Sequence, residues 1–178
     1  MITAEYLIDN IDLAFEVWRK YPWNRNLPFD DFCELILPYR IADEPLSDWR
    51  KLYYEDYGTL LDSLYKGDDV IEASKIIDGK LRKLYYIYNT DFRIPHLDAV
   101  FLYHNRIGYC REACDLTIYA MRACGIPVAT DYFVYSPDYQ HYHCWTMLRD
   151  TTGTFLQFGF NEFEAVSYTH LRAHETCA

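Results

Sequence analysis

GYCREACDLTIYAMRACGIP, residues 108–127, is the stretch on which the fold turns. A helix is expected from Cys110 to about Cys124, with Ala113, Leu116, Ala120 and Ala123 on one face. Gly125 suits the left-handed position just past a helix end, and Pro127 keeps the helix from resuming. Cys110 therefore falls at the N-terminal end, where unpaired backbone N–H groups and the positive end of the helix dipole favour an anion. A thiolate is such an anion, so a lowered pKa and a reactive sulfur are expected. Gly108 is expected to let the incoming backbone bend sharply and to leave room for a substrate. Three roles are open to Cys110 on these grounds: nucleophile, metal ligand or packing.

The residues after Pro127 change period. VATDYFVY reads as a strand by alternation and by its β-branched and aromatic content, SPDYQ as a turn, HYHCWTML as a second strand, TTG as a turn and TFLQFGF as a third strand. Short turns between consecutive strands predict an antiparallel meander. The residues before Gly108 read as helices. Leu7, Ile8, Ile11, Ala14, Phe15 and Trp18 predict a first helix, capped by Thr3 and ended by Pro22. PFDDFCELILP predicts a second, capped near Asp30 and stopped by Pro38. A third is expected from Ser47 to about Tyr65, and a fourth from Asp68 or Asp69 to about Tyr88, interrupted at Gly79. A short turn of helix is expected after Pro95, with a loop over 105–108. The fold class is α+β, with a helical N-terminal segment and then a central helix on an antiparallel sheet.

The chain has 178 residues, 51% of them hydrophobic and 25% charged, enough for one domain with a core. Its net charge of −10 and the lack of any basic run argue against nucleic acid as a partner. No apolar run is long enough for a transmembrane segment, and no secretion signal is visible. Eighteen tyrosines are expected to half-bury their rings with the hydroxyl in water. Six cysteines follow no small-scaffold disulfide pattern and leave the redox compartment open.

A nucleophilic Cys110 needs a base. Alternation places His141, His143, Trp145 and Met147 on one face of the second strand, and Tyr142, Cys144 and Thr146 on the other. If the helix packs on the His143 face, the imidazole reaches the sulfur and a Cys–His pair for acyl transfer results. Cys114, Cys124 and Cys144 read as small buried hydrophobes, His141 as a structural residue, and His96 and His104 as polar loop residues. Zinc is the competing assignment, since Cys110, Cys114, His141, His143 and Cys144 are ligand types it accepts. Paired CxxC knuckles are missing, and Cys144 is expected to point away from the histidines, so no metal and no other cofactor is assigned.

Three motifs stand in order: Gly108–Tyr109–Cys110, then Arg122–Ala123–Cys124–Gly125–Ile126–Pro127, then His143–Cys144–Trp145, with Cys110 and His143 thirty-three positions apart. Together they resemble the transglutaminase-like superfamily of the papain-like fold, over about residues 100–160. The resemblance implies a transglutaminase-like core in which Cys110 is the nucleophile and His143 the base, with Gly108, Tyr109 and Trp145 as cleft residues. The helical half resembles the segment that precedes this core in large transglutaminase-like proteins of gut Bacteroidetes, which implies a bacterial envelope or secreted location. The family's orienting Asp falls at Gly159 in this chain. Asn161 is the candidate replacement, while Asp150 is expected in the turn after the strand.

The resulting expectation is a thiol enzyme acting on amide or acyl bonds of a peptide or protein substrate, including cell-wall or glycan-linked ones, by hydrolysis or acyl transfer. The alternative is a lapsed module that keeps the fold and binds a peptide or glycan without turning it over. VSYTHLRAHET, residues 166–176, resembles the translation of a sequencing-library adapter, so 166–178 are read as a non-native tail and His170, His174 and Cys177 as poor candidates. The expected organisation is a helical region over 1–92 packing on an incomplete transglutaminase-like core over 93–165.

Overall fold

The computed structural model describes residues 2–89, 91–92, 94–133 and 143–159. Helix α1 spans Ala4–Lys20. Thr3 caps it as expected, its hydroxyl oxygen accepting from the Tyr6 N–H at 3.1 Å. Pro22 then opens a single 3₁₀ turn, Pro22–Asn24. Helix α2, Phe29–Leu35, starts behind Pro28, and the expected cap Asp30 instead sits in its first turn, where a negative charge is favourable.

The third helix comes in pieces: α3 (Arg50–Tyr53), a π turn (Tyr54–Gly58) and α4 (Thr59–Leu64). Ser47 does not cap it; its hydroxyl oxygen accepts from the Val100 N–H at 3.3 Å. Asp69 caps α5, Val70–Leu81. The helix expected to reach Tyr88 stops at Leu81, and Ile87–Tyr88 forms a short strand β1. After α6 (Ala99–Asn105, capped by Asp98), Arg106 adopts a left-handed conformation with φ 47°, and strand β2 (Ile107–Gly108) pairs parallel to β1. The aromatic and β-branched run YYIY suits a strand, and the expected loop at 105–108 supplies its partner.

Helix α7 is Cys110–Ala123. The sheet is the expected meander, β3 (Val128–Phe133), β4 (His143–Arg149) and β5 (Phe155–Phe158), antiparallel in the order β3-β4-β5. Val128 lies opposite Leu148 and Thr146 opposite Phe158. No helix among the described residues is long and apolar enough to cross a membrane.

Contacts with α7 organise the molecule: α1, α3, the π turn, α5 and α6 pack on it, as do β2, β3 and β4. Every α7 residue except Arg111 is buried. The single apolar stripe expected from the sequence is too narrow a description, because the helix is enclosed by both layers. Its polar side chains survive burial because each has a partner. Arg122, the first residue of the R-x-x-G-I-P motif, donates from Nε to the Leu35 carbonyl at 2.9 Å. The Tyr119 hydroxyl donates to Glu44 Oε1 at 2.8 Å. At the exit Gly125 has φ 63°, and an added Cβ would lie 3.0 Å from the Val17 carbonyl oxygen. The Gly125 carbonyl accepts from Trp23 Nε1 at 3.0 Å and Asn24 Nδ2 at 2.8 Å, which ties the end of α1 to the end of α7.

Several tyrosines depart from the half-buried expectation. Tyr53, Tyr57 and Tyr119 are inside the core with Trp49. The Trp49 and Tyr119 rings sit 4.7 Å apart, and Tyr53 stacks on Tyr57. Burial holds these three phenols above their ordinary pKa.

Candidate active site

The approach to α7 is pinned from three directions. Asn89 N–H donates to the Gly108 carbonyl at 2.9 Å, and the Tyr86 hydroxyl donates to the Tyr109 carbonyl at 3.3 Å. Glu112 reaches back along the helix, Oε2 accepting from the Tyr109 N–H at 3.2 Å and Oε1 from Arg111 Nε at 2.8 Å. That is the return half of a capping box. Gly108 has φ 150°, and a Cβ built there would overlap the Glu112 Cβ and lie 2.6 Å from its Cγ. The space beside Gly108 is therefore filled by Glu112, where room for a substrate was expected. Gly108→Ala should cost about 2 to 4 kcal/mol, from overpacking against Glu112 plus a strained φ. Urea unfolding of the variant, compared with Gly79→Ala, checks this, because Gly79 has open space around its missing Cβ.

Cys110 opens α7 and is 5% exposed. Its side chain clusters with Cys114 and Cys144, with Tyr109 packed alongside. Cys144 reaches it from the facing strand β4, and His143 is the residue before Cys144 on that strand. The Cys144 contact, followed by burial, pushes the Cys110 thiol well above its ordinary pKa. The Cys144 backbone and His143 pull the other way and are outweighed. This reverses the depressed pKa expected from the helix N-terminus alone.

The reversal follows from which face of β4 is inside. Cys144, Thr146 and Leu148 are buried, while His143, Trp145 and Met147 are half-buried. Helix α7 thus packs on the Cys144 face, not on the His143 face. His143 adjoins Cys144 on β4, which brings it to the end of α7 that Cys110 opens. The Trp145 ring lies 5.8 Å from the His143 ring. Cys110, Cys114, Thr117, Cys144, Trp145 and Gly159 line a narrow cleft of about 10 Å³ between α7 and the sheet, room for about one water molecule. A larger cleft of about 490 Å³ lies elsewhere, bordered by Trp23, Asp69, Pro127, Arg149 and Asp150, and its lining includes no thiol or imidazole.

Of the other residues singled out from the sequence, Gly159 borders the cleft and brings no carboxylate to it. Asp150 sits in the β4–β5 turn as expected, its Oδ1 accepting from the Thr152 and Thr154 N–H groups at 2.9 and 2.8 Å. Asn161 and His141 lie outside the described residues. Among those described, no three His, Cys, Asp or Glu side chains group to hold a metal.

The sequence reading missed two features. Cys144 was read as plain packing, although the alternation that separates it from His143 also marks it as the helix-facing residue once the buried face of β4 is known. His96 was read as a polar loop residue, yet its side chain is only 7% exposed, clamped between two carboxylates. Its Nδ1 lies 2.6 Å from Asp43 Oδ1 and its Nε2 2.8 Å from Asp115 Oδ2, one residue past Cys114 on α7. The Asp115 hydrogen bond, more than the one to Asp43, raises the imidazole to about 9. Burial raises Asp115 to about 6 against the pull of His96.

A central helix that opens on a cysteine and packs on an antiparallel meander, behind a helical N-terminal segment, is the α+β architecture expected from the sequence. Two solved structures share this fold. One, from Cytophaga hutchinsonii, carries the provisional name of cysteine protease; it has 18% identity and a TM-score of 0.57, over 82% of this chain and 48% of that one. The other is the periplasmic domain of TgpA from Pseudomonas aeruginosa, at 17% identity and a TM-score of 0.51, over 74% of this chain and 46% of that one. The chain thus spans about half the length of each. Its sequence matches no protein-family profile and no curated protein.

Proposed function

We propose that this chain carries a transglutaminase-like thiol site acting on amide or acyl bonds of peptides or proteins, by hydrolysis or acyl transfer. Cys110 is the nucleophile. His143 takes its proton and returns it to the leaving group. Backbone N–H groups in the first turn of α7 stand where an oxyanion would form. The observation that supports this reading is the packing of Cys110, at the start of α7, against Cys144, the residue next to His143 on β4. Trp145 and Tyr109 flank the pair and supply flat apolar surface for the substrate. The one-water cleft requires the substrate to approach from outside, past His143 and Trp145, with the thiol at its floor. The thiol-protease name of the Cytophaga neighbour and the periplasmic setting of TgpA agree with a peptide substrate in the cell envelope.

A second reading is favoured by Gly159, which leaves the His143 imidazole without a carboxylate from that position, and by Cys144, which holds the nucleophile protonated. On it, the cleft binds a peptide or glycan and turns nothing over. Limiting iodoacetamide from about pH 5 to about pH 9 separates the two. The enzyme reading requires Cys110 to be alkylated ahead of the other cysteines, and the lead to vanish in His143→Ala. Alkylation of Cys110 no faster than Cys114 or Cys124, or unchanged in His143→Ala, leaves the binding module.

A further inference from the structure

Three cysteine thiols outside any disulfide cluster near the start of α7, those of Cys110, Cys114 and Cys144, and the thiol chemistry proposed for the site uses only one of them. We propose that Cys110 and Cys144 form a reversible redox couple, in which hydrogen peroxide closes a disulfide across the α7–β4 contact and takes Cys110 out of service. The regulatory consequence rests on the reading of Cys110 as the nucleophile; the bridge itself does not.

Geometry selects the partner. Cys110 and Cys114 are one helical turn apart, which sets their Cβ atoms about 5 to 6 Å from each other, beyond the roughly 3.5 to 4.5 Å that a disulfide spans. Cys144 comes from the facing strand, and its side chain packs in one buried cluster with Cys110 and lines the same cleft. Cys110 is the more exposed of these two, at 5% against 2%, and the cleft above them holds about 10 Å³. A small oxidant reaches that sulfur; a bulky disulfide such as oxidised glutathione does not.

The chemistry balances in two steps. Cys110 gives up its proton as its sulfur attacks one peroxide oxygen, the O–O bond breaks, and the departing hydroxide takes that proton and leaves as water, with a sulfenic acid at Cys110. The Cys144 sulfur then attacks the sulfenic sulfur, the S–S bond forms, the S–O bond breaks, and the second water carries off the Cys144 proton. Two thiols lose two electrons and one peroxide becomes two waters. Reduction by a dithiol reverses the change. Without Cys144 the sulfenic acid has no adjacent thiol on the facing strand, and further peroxide takes it to the irreversible sulfinic acid.

The test uses the whole chain and hydrogen peroxide itself. The reduced protein is treated with a small excess of peroxide, blocked with N-ethylmaleimide, digested without reductant and mapped by mass spectrometry. The expected product is a peptide pair joined through Cys110 and Cys144, lost on treatment with dithiothreitol. In Cys144→Ser, Cys110 should instead accumulate sulfinic acid that dithiothreitol does not recover. Sulfinic acid at Cys110 of the unaltered chain with no bridge, a Cys114–Cys144 bridge, or no reaction at either thiol overturns the couple. The mapping on the unaltered chain decides this even if the serine variant folds poorly. Alkylation of the reduced chain is read in parallel. A bridge in a protein whose reduced Cys110 is no more reactive than its other thiols keeps the couple and ends the enzyme reading. A reactive Cys110 that never bridges does the opposite.

Discussion

Replacing Arg50 by methionine should destabilise the chain by about 3 to 5 kcal/mol, although the substitution keeps an apolar stem of similar length. Arg50 is 1% exposed, at the start of α3. Its guanidinium is held by oxygen atoms of the backbone: Nη2 donates to the Ile36, Leu37 and Pro38 carbonyls at 3.1, 3.2 and 3.0 Å. Nη1 points to the Arg122 carbonyl and Nε to Asn10 Oδ1, each at 3.4 Å. Ile36 and Leu37 close α2, where the last carbonyls of a helix lack partners inside it. One planar group thus satisfies the end of α2 and braces α3 against α7. Burial lowers its pKa to about 9, so it stays charged at neutral pH. Methionine leaves the Ile36, Leu37 and Pro38 carbonyls without this donor, the first of them buried and the other two half-buried. Arg50→Lys should recover less than half of the loss, because a single ammonium cannot address that spread of acceptors. Urea denaturation of the three proteins reads the effect. A methionine variant within about 1 kcal/mol of the natural chain would show that water replaces the guanidinium.

The frame that Arg50 braces was largely legible in the sequence; the chemistry mounted on it was legible only in part. Helix α7 announces both its ends, through the G-x-C entry and the Gly125–Pro127 exit, and the meander follows from alternation between turn residues. Those signals are local. The β1–β2 pairing was invisible because two-residue strands have no period of their own and exist only through each other. The decisive site detail was also tertiary. Alternation sorted β4 into a His143 face and a Cys144 face, but both are mixed in polarity. Only the packing of α7 on Cys144, Thr146 and Leu148 settles which is inside. That same fact turned the expected pKa of Cys110 upward and put a second thiol against the first. Arg122 illustrates a motif residue whose work proved to be architectural, since it donates to the Leu35 carbonyl at the far end of the helix from Cys110.

The His96 clamp yields an expectation that depends on pH. His96→Ala removes the imidazole that faces Asp115 and leaves a carboxylate 2% exposed with Glu44 and Glu112 as electrostatic neighbours that disfavour its charge. A buried charge stripped of its partner costs about 3 kcal/mol or more at neutral pH. Asp115 already titrates at about 6 with His96 present, and its pKa must rise further without it. The variant therefore recovers as pH falls and Asp115 becomes neutral, and it loses most above about pH 6. The natural chain behaves differently. His96 is raised from 6.5 to about 9 on folding, so its contribution is complete below about pH 6.5 and is lost as pH climbs through about 9. Arg111 opposes that shift and Asp43 assists it, but Asp43 is exposed, so Asp43→Ala should change little. Unfolding free energies at about pH 5 and about pH 8 should show His96→Ala below the natural chain at both and both falling as pH rises, the variant through ionisation of Asp115 and the natural chain through loss of the His96 charge. A variant whose stability does not fall between the two pH values would mean that Asp115 finds another partner on losing His96. The clamp would then be a packing contact and not an ion pair holding α7, one residue past Cys114, in the register that the thiol site requires.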